Sequence, residues 1–324
     1  MIDATIDIWD LGQRWKISVQ SLFLYAVERI LLQHFLTSRS RVRLSLSLVI
    51  RAFLSSKRLM SYWIVILLGV IEGITEFLPV SSTGHLLLAE IWLNLPAHPS
   101  ELFNIVIQSG AVMAVILVFA GRIGQMVRDR NQPETRDYTL KLAAAFLITG
   151  VGGLALKKLG LQLPEHPAPV AWATLIGGFV ILLIERQLRQ KPGTSDVSWA
   201  VAAAIGVSQL IAAAFPGTSR SGISIIAGLV LGLSRPAATE FSFLVGVPTL
   251  LSAGAYKVFS ALRSPGEAHE PWSQILLGTA VSALTAFVVV RWLLFYVQNH
   301  SFVIFGWYRV VLGGLILGFL FFKP

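Results

Sequence analysis

Long apolar segments recur along this chain of 324 residues and restrict the folds that it can adopt. They predict membrane-spanning helices near residues 104–121, 140–157, 171–187, 239–260, 273–297 and 303–322. Only 13% of the residues are charged, about half the share found in soluble domains. The sequence therefore predicts an all-α polytopic membrane protein.

Two more apolar stretches, residues 62–93 and 199–233, are interrupted by proline and small polar residues. The interruptions run from Pro79 to Gly84 and from Pro216 to Gly222. Broken backbone at membrane depth is tolerated where it is buried in protein or lines a cavity. Each stretch is therefore predicted to be a re-entrant helical hairpin, which enters the membrane and returns to the same side.

The predicted membrane domain, residues 60–324, divides into two related halves at about 61–190 and 199–324. Similar strings recur at offsets of 136 to 138 residues. Each half has one re-entrant hairpin and three transmembrane helices, an odd number of crossings, so the second half should be inverted relative to the first. Inverted repeats of this kind form binding sites near the membrane midplane, where broken helices meet.

The positive charges of the loops predict the orientation in the membrane. Among the Lys and Arg residues of loops and span ends, ten fall on one side and five on the other. The richer side should be cytoplasmic. The first hairpin would then open from the extracytoplasmic side and the second from the cytoplasmic side.

Two carboxylates lie in the first broken segment. Glu72 and Glu76 are four residues apart, so they share one face of the predicted helix. A carboxylate at the membrane centre costs at least ~2.5 kcal/mol. Both side chains should therefore face a polar cavity.

Small polar residues follow Pro79 in the same segment. Ser81, Ser82 and Thr83 stand where a second helix would begin, and the free amides of a helix start form a natural anion site. His85 lies three residues beyond Ser82 and could act on it as a base or as a proton donor.

The second broken segment supplies a positive charge. Arg220 sits between Ser219 and Ser221 in the string P-G-T-S-R-S-G, and the planar fork of a guanidinium suits a phosphate. The chain has no cysteine, so covalent chemistry would use a hydroxyl, a carboxylate or a histidine. Together, the two hairpins are predicted to bind and cleave a phosphate ester or anhydride.

Structural interpretations of these residues stay open. Ser and Thr in membrane helices often serve only in packing or capping, and Glu76 could pair with Arg220 for structure alone. Gln108 is read as an inter-helix hydrogen-bonding residue. Tyr308 and Arg309, near the start of the last span, are read as interfacial anchors.

Two strings are similar to the signatures of a known family. The blocks E-G-I-T-E-F-L-P-V-S-S-T-G-H at 72–85 and P-G-T-S-R-S-G at 216–222 closely resemble those of bacterial undecaprenyl-diphosphate phosphatases of the BacA type. The resemblance implies a multi-pass hydrolase of the bacterial plasma (inner) membrane that converts undecaprenyl diphosphate to undecaprenyl phosphate and inorganic phosphate. That reaction recycles the lipid carrier of peptidoglycan synthesis and confers bacitracin resistance. The resemblance also implies an extracytoplasmic active site and a divalent cation, Mg²⁺ or Ca²⁺.

The resemblance assigns roles to nine residues: Ser82, His85, Glu76 and Glu72 in catalysis, and Arg220, Ser219, Ser221, Ser81 and Thr83 in binding the substrate phosphate. We expect Glu72 and Glu76 to hold the metal ion or orient the hydroxyls. Ser82 would attack the terminal phosphorus, with His85 activating that serine or protonating the leaving oxygen. A histidine nucleophile or direct attack by water fits the sequence equally well.

The expected partners are the polyprenyl diphosphate lipid and the bilayer, without nucleic acid, and assembly into a homo-oligomer stays open. A lipid-phosphate transporter or flippase is the alternative function. It too would use an inverted repeat with an anion site near the midplane.

Residues 1–59 have no counterpart in the resemblance. They carry nine Lys or Arg and four acidic residues, a net charge of +5. That charge would fall on the side assigned as extracytoplasmic, against the usual tendency. Two interpretations stay open: a natural start at Met60 preceded by an extension of the reading frame, or an amphipathic surface helix near residues 17–36.

Overall fold

The structure is a computed structural model, and it describes residues 60–93, 95, 99–161, 166–188, 193–263 and 271–322. The predicted N-terminal extension, residues 1–59, lies outside the described residues, as does the surface helix considered within it. In the described part of the chain, the regular elements are helices, and one isolated β-bridge joins Thr194 to Leu233.

Eleven helices are described, and their bounds are α1 Tyr62–Thr75, α2 Ser82–Trp92, α3 Glu101–Val118, α4 Ala120–Arg128, α5 Pro133–Leu159, α6 Pro167–Gln187, α7 Trp199–Ala214, α8 Arg220–Val230, α9 Arg235–Arg263, α10 Trp272–Asn299 and α11 Val303–Phe322. Six of these, α3, α5, α6, α9, α10 and α11, are long and apolar enough to cross a membrane. They confirm the six predicted spans. The short α4 follows α3 directly, has no buried residue and was not predicted.

Both re-entrant hairpins are present, as α1 with α2 and α7 with α8. These helices have 11 to 16 residues and at 1.5 Å per residue reach about 17 to 24 Å, less than the ~30 Å of a hydrocarbon core. Pro79 and Pro216 fall within the two interruptions, where proline prevents the preceding helix from continuing. The chain therefore turns back at membrane depth in both places.

Helix packing repeats between the two halves. In each half the first hairpin helix packs on the second span of the other half, α1 on α10 and α7 on α5. The first spans, α3 and α9, pack on each other, and so do the last spans, α6 and α11. Because each half makes three crossings, equivalent halves run in opposite directions, and the fold is the predicted inverted repeat.

One close contact shows the equivalence at atomic detail. A Cβ atom added at Gly69 of α1 would lie 2.8 Å from the carbonyl oxygen of Gly278, and one added at Gly206 of α7 would lie 2.8 Å from that of Ala145. Only glycine allows helices to approach so closely, a common device in membrane proteins. The hairpins are thereby fixed against α10 and α5.

Candidate active site

The two interruptions share an unusual backbone geometry. Ser81 has φ of 76° and Ser219 has φ of 70°, a left-handed conformation that is uncommon outside glycine. The hydroxyl of each serine accepts a hydrogen bond from a glycine amide three residues on, Gly84 N at 3.3 Å and Gly222 N at 3.2 Å. Helices α2 and α8 therefore begin with the same strained cap, a feature that clusters at functional sites.

The two interruptions also touch each other. Ser221 Oγ donates a hydrogen bond to the carbonyl oxygen of Leu78 at 3.0 Å, and it lies 3.2 Å from Ser219 Oγ. The hydroxyls of Ser81, Ser219 and Ser221, all predicted to bind phosphate, are thus engaged within the protein. In this structure they shape the interruptions.

A buried arginine ties both interruptions to the last spans. Arg309 of α11 is 0% exposed and donates to the carbonyl oxygens of Pro79 at 3.3 Å and Gly217 at 3.1 Å, one in each hairpin. It also donates to those of Ala173 and Thr174 in α6. The interpretation of Arg309 as an interfacial anchor is wrong, because its charge is enclosed and satisfied by backbone oxygens.

Ser82 is hydrogen-bonded to a carboxylate. Its Oγ donates to Oε2 of Glu76 at 2.7 Å, and Gln108 Nε2 donates to the same oxygen at 3.2 Å. Gln108 therefore does join α3 to α1, as read from the sequence. A serine hydroxyl that donates to a carboxylate has a base in place to take its proton.

His85 is directed to another partner. Its Nδ1 lies 2.7 Å from the carbonyl oxygen of Ser81, which can only accept, so Nδ1 carries the proton of the neutral ring. Nε2 then accepts from the hydroxyl of Tyr308 at 2.6 Å. The sequence assigned no such role to Tyr308. The structure thus joins His85 to α11 and Ser82 to Glu76, without bringing the two side chains together.

A cavity of about 750 Å³ is lined by predicted site residues from both hairpins, and we refer to it as the catalytic cavity. Glu72, Ser82 and Thr83 of the first hairpin and Arg220 of the second all line it. Apolar side chains form much of the rest of its wall, including Leu86, Leu87, Ile105, Leu250 and Ala253. A polar end beside an apolar wall suits a lipid with a phosphate headgroup.

Two ionisable side chains at this cavity have buried polar atoms without a hydrogen-bond partner in the described part of the chain. Glu72 is 1% exposed, and neither of its carboxylate oxygens meets a donor in hydrogen-bonding geometry. The buried Nη1 of Arg220 is also without an acceptor. Unpaired buried charge is costly, so Arg220 fits an anionic ligand and Glu72 a cationic one.

Glu72 and Glu76 are the carboxylates that the sequence predicts as ligands of a divalent cation, and Glu90 and Glu101 also line the cavity. The described residues contain no group of three or more His, Cys, Asp or Glu side chains that could hold a metal ion. Further ligands would therefore be amide, hydroxyl or water oxygens, all of which Mg²⁺ and Ca²⁺ accept.

Comparison with known proteins decides the family. A family model described as Bacitracin resistance protein BacA matches residues 65–315. The chain belongs to the BacA family. Among its relatives, proteins of Rhizobium etli and Xylella fastidiosa (strain 9a5c), each named undecaprenyl-diphosphatase, are 46% identical over 260 residues and 49% identical over 256. These matches cover 80% and 79% of this chain and 97% of each relative. The BacA match includes all nine predicted site residues and Arg309.

Proposed function

We propose that this BacA family member hydrolyses undecaprenyl diphosphate to undecaprenyl phosphate and inorganic phosphate. Its relatives bear the name of that activity. The structural observation that carries the proposal is the hydrogen bond from Ser82 to Glu76 beside the cavity that Arg220 lines. This arrangement supports roles for Ser82 as nucleophile, Glu76 as base and Arg220 as anion-binding group, next to an apolar wall.

In the proposed reaction, Ser82 Oγ attacks the terminal phosphorus while Glu76 accepts its proton. The bond from that phosphorus to the bridging oxygen breaks, and undecaprenyl phosphate leaves without needing a proton, because the second pKa of a phosphate monoester is about 6. Water then attacks the phosphoserine, Glu76 returns its proton to the Ser82 oxygen, and inorganic phosphate leaves with both protons of the water. Arg220 donates to the phosphoryl oxygens throughout.

Phosphate release from undecaprenyl diphosphate by the purified protein in detergent tests this order of events. Ser82→Ala and Glu76→Gln should each lose at least about 10²-fold in rate, and intact mass spectrometry should trap one phosphoryl group on wild-type Ser82. Direct attack by water predicts instead that Ser82→Ala keeps most of the activity. Activity in Ser82→Ala together with its loss in His85→Ala would indicate a histidine nucleophile.

We also propose that Glu72 and Glu76 hold a divalent cation, Mg²⁺ or Ca²⁺. When bound, it would offset the negative charge of the diphosphate and polarise a phosphoryl oxygen. The unpartnered oxygens of Glu72 support this role. Chelation should abolish phosphate release and added cation should restore it, and Glu72→Gln should raise the cation concentration required. Full activity in excess chelator would refute the requirement.

For the cellular site we propose the bacterial plasma membrane, with the cavity facing the extracytoplasmic side, as the charges of the loops predict. Because the chain has no cysteine, a single cysteine reports accessibility without background. Ala253→Cys, in the cavity wall, should react with a membrane-impermeant maleimide in intact cells. Asn299→Cys, at the end of α10, should react only after the cells are opened. The reverse labelling pattern would show that the cavity faces the cytoplasm.

One observation favours a transporter as the second candidate function. A further cavity of about 1430 Å³ reaches Arg235 at the start of α9, whereas the catalytic cavity reaches Ala253 of the same helix. Those residues are about 27 Å apart at 1.5 Å per residue, so the cavities lie toward opposite ends of the bundle. Movement of labelled polyprenyl phosphate across vesicles containing Ser82→Ala protein would support transport, and its absence would leave hydrolysis alone.

A further inference from the structure

Three oxygen-bearing side chains line the catalytic cavity, and a fourth is hydrogen-bonded to one of them. Glu72 lies in α1 and Glu76 is the helical C-cap residue of α1, while Asn104 and Gln108 lie in α3. The members of each pair are four residues apart and so share one helix face. Glu72, Asn104 and Gln108 line the cavity, and Gln108 Nε2 contacts Glu76. The amide pair of α3 therefore faces the carboxylate pair of α1.

The two helices run in the same direction, since both begin where α10 begins. Gln274, in the first turn of α10, donates to the carbonyl oxygen of Met60 just before α1 at 2.6 Å. A Cβ atom added at Gly278, one turn later, would lie 3.2 Å from the ring of Phe103 in the first turn of α3. Glu72 precedes Glu76 by one helical turn, and Asn104 precedes Gln108 by one turn. Because the helices run in the same direction, Glu72 and Asn104 lie at the same level along them.

At this level of the two helices, Asn104 and Glu72 both have buried oxygen atoms without a hydrogen-bond donor among the described residues. The Oδ1 atom of Asn104 is buried and accepts no hydrogen bond from the described residues, as is true of both oxygens of Glu72. Buried acceptors normally have a donor. Several acceptors without a donor on one cavity wall match the coordination of a hard cation, which takes carboxylate and amide oxygens alike.

We propose that Asn104 is a ligand of the divalent cation, with its Oδ1 joining the carboxylates of Glu72 and Glu76. Gln108 is the positioning residue, because its Nε2 fixes Glu76. Water and the substrate phosphate would supply the remaining oxygens, as is usual for Mg²⁺. This assignment rests on the cation requirement proposed above.

Direct binding of Mn²⁺ to the full chain, measured by electron paramagnetic resonance without substrate, tests the ligand independently of catalysis. Asn104→Leu removes the oxygen at similar volume, so the Kd for Mn²⁺ should rise at least about tenfold. Asn104→Asp keeps an oxygen in place and should bind at least as tightly as wild type. Asn299→Leu, the same exchange near the other end of the bundle, should bind like wild type.

The outcomes separate the two proposals. Unchanged affinity in Asn104→Leu alongside weakened binding in Glu72→Gln would overturn Asn104 as a ligand and leave the cation in place. Absence of Mn²⁺ binding by the wild type would overturn both. If the leucine variant does not fold, Asn104→Ala takes its place, and weak binding by a folded Asn104→Asp protein would also count against the ligand.

Discussion

At the scale of single residues, Ser82 and His85 are neighbours on α2 with separate partners. Ser82 donates to Glu76 beside the cavity, while His85 accepts from Tyr308 of α11. Residues three apart on a helix adjoin one another, so the sequence suggested that the histidine serves the serine. The hydrogen bond from Ser82 supports the proposal that Glu76 is the base, and Tyr308 gives His85 a fixed orientation.

Replacing Tyr308 by Phe removes the hydroxyl that His85 Nε2 accepts from. We expect phosphate release to fall about fivefold, which corresponds to the ~1 kcal/mol of a typical hydrogen bond. In a double-mutant cycle, Tyr308→Phe should cost nothing further in a His85→Ala background, because both changes remove the same contact. Tyr256→Phe, at a tyrosine that is 60% exposed, is the control. Fully additive losses would show that Tyr308 acts independently of His85.

At the scale of helices, the two hairpins are held by an element outside both of them. Arg309 reaches the carbonyl oxygens of Pro79 and Gly217. Gly217 O also accepts from Thr174 Oγ1 at 3.4 Å, whereas no other donor to Pro79 O is found among the described residues. The hairpin segments themselves touch through Ser221 and Leu78. The alignment of Ser82 with Arg220 therefore depends on α11.

Arg309→Lys keeps the positive charge but has a shorter reach and fewer donors. The carbonyl oxygen of Pro79, which has Arg309 as its one donor among the described residues, should lose that hydrogen bond at a cost of about 1–3 kcal/mol. We expect a lower thermal midpoint in detergent and weaker phosphate release. Arg128→Lys, on the exposed face of α4, should leave both unchanged. A wild-type midpoint for Arg309→Lys would mean that the four hydrogen bonds are dispensable.

At the same scale, the sequence was sufficient for spans and hairpins but not for the Arg309 contacts. Apolar length and proline breaks are local properties, so the six spans and both interruptions could be predicted. The partners of Arg309 are main-chain oxygens, which leave no signature in a sequence. The available signal was an arginine close to the start of a long apolar helix. The structural interpretation of Gln108 needed no correction, because an amide within a span has few alternatives to an inter-helix bond.

At the scale of the whole molecule, the inverted repeat is preserved in packing more than in sequence. Gly69 and Gly206 occupy equivalent places on α1 and α7, each against a backbone carbonyl oxygen, although few of the surrounding residues are identical. The halves could be recognised from recurring strings and an odd number of crossings. Which helices would pair across the halves could not, because the composition of the lipid-facing and buried helix faces is similarly apolar.

This equivalence predicts matched effects of substitution. Gly69→Ala and Gly206→Ala should each destabilise the protein by about 1–3 kcal/mol, because the added methyl group meets backbone that cannot move aside. Gly314→Ala, where the added atom meets nothing within 4 Å, should have no destabilising effect. Thermal unfolding in detergent compares the three variants. Loss of stability at Gly314 alone would contradict the packing described here.

The position of Arg309 after both hairpins in the chain has a consequence for the synthesis of the protein. Both hairpins are synthesised well before residue 309, yet the side chain that donates to both of them arrives only with α11. A ribosome that has delivered α1 to α10 has therefore produced a membrane domain whose hairpins can meet through Ser221 and Leu78 but lack the hydrogen bonds from Arg309. Hydrolytic competence should begin only when α11 enters the bilayer, so that partly made chains remain inert toward the lipids around them.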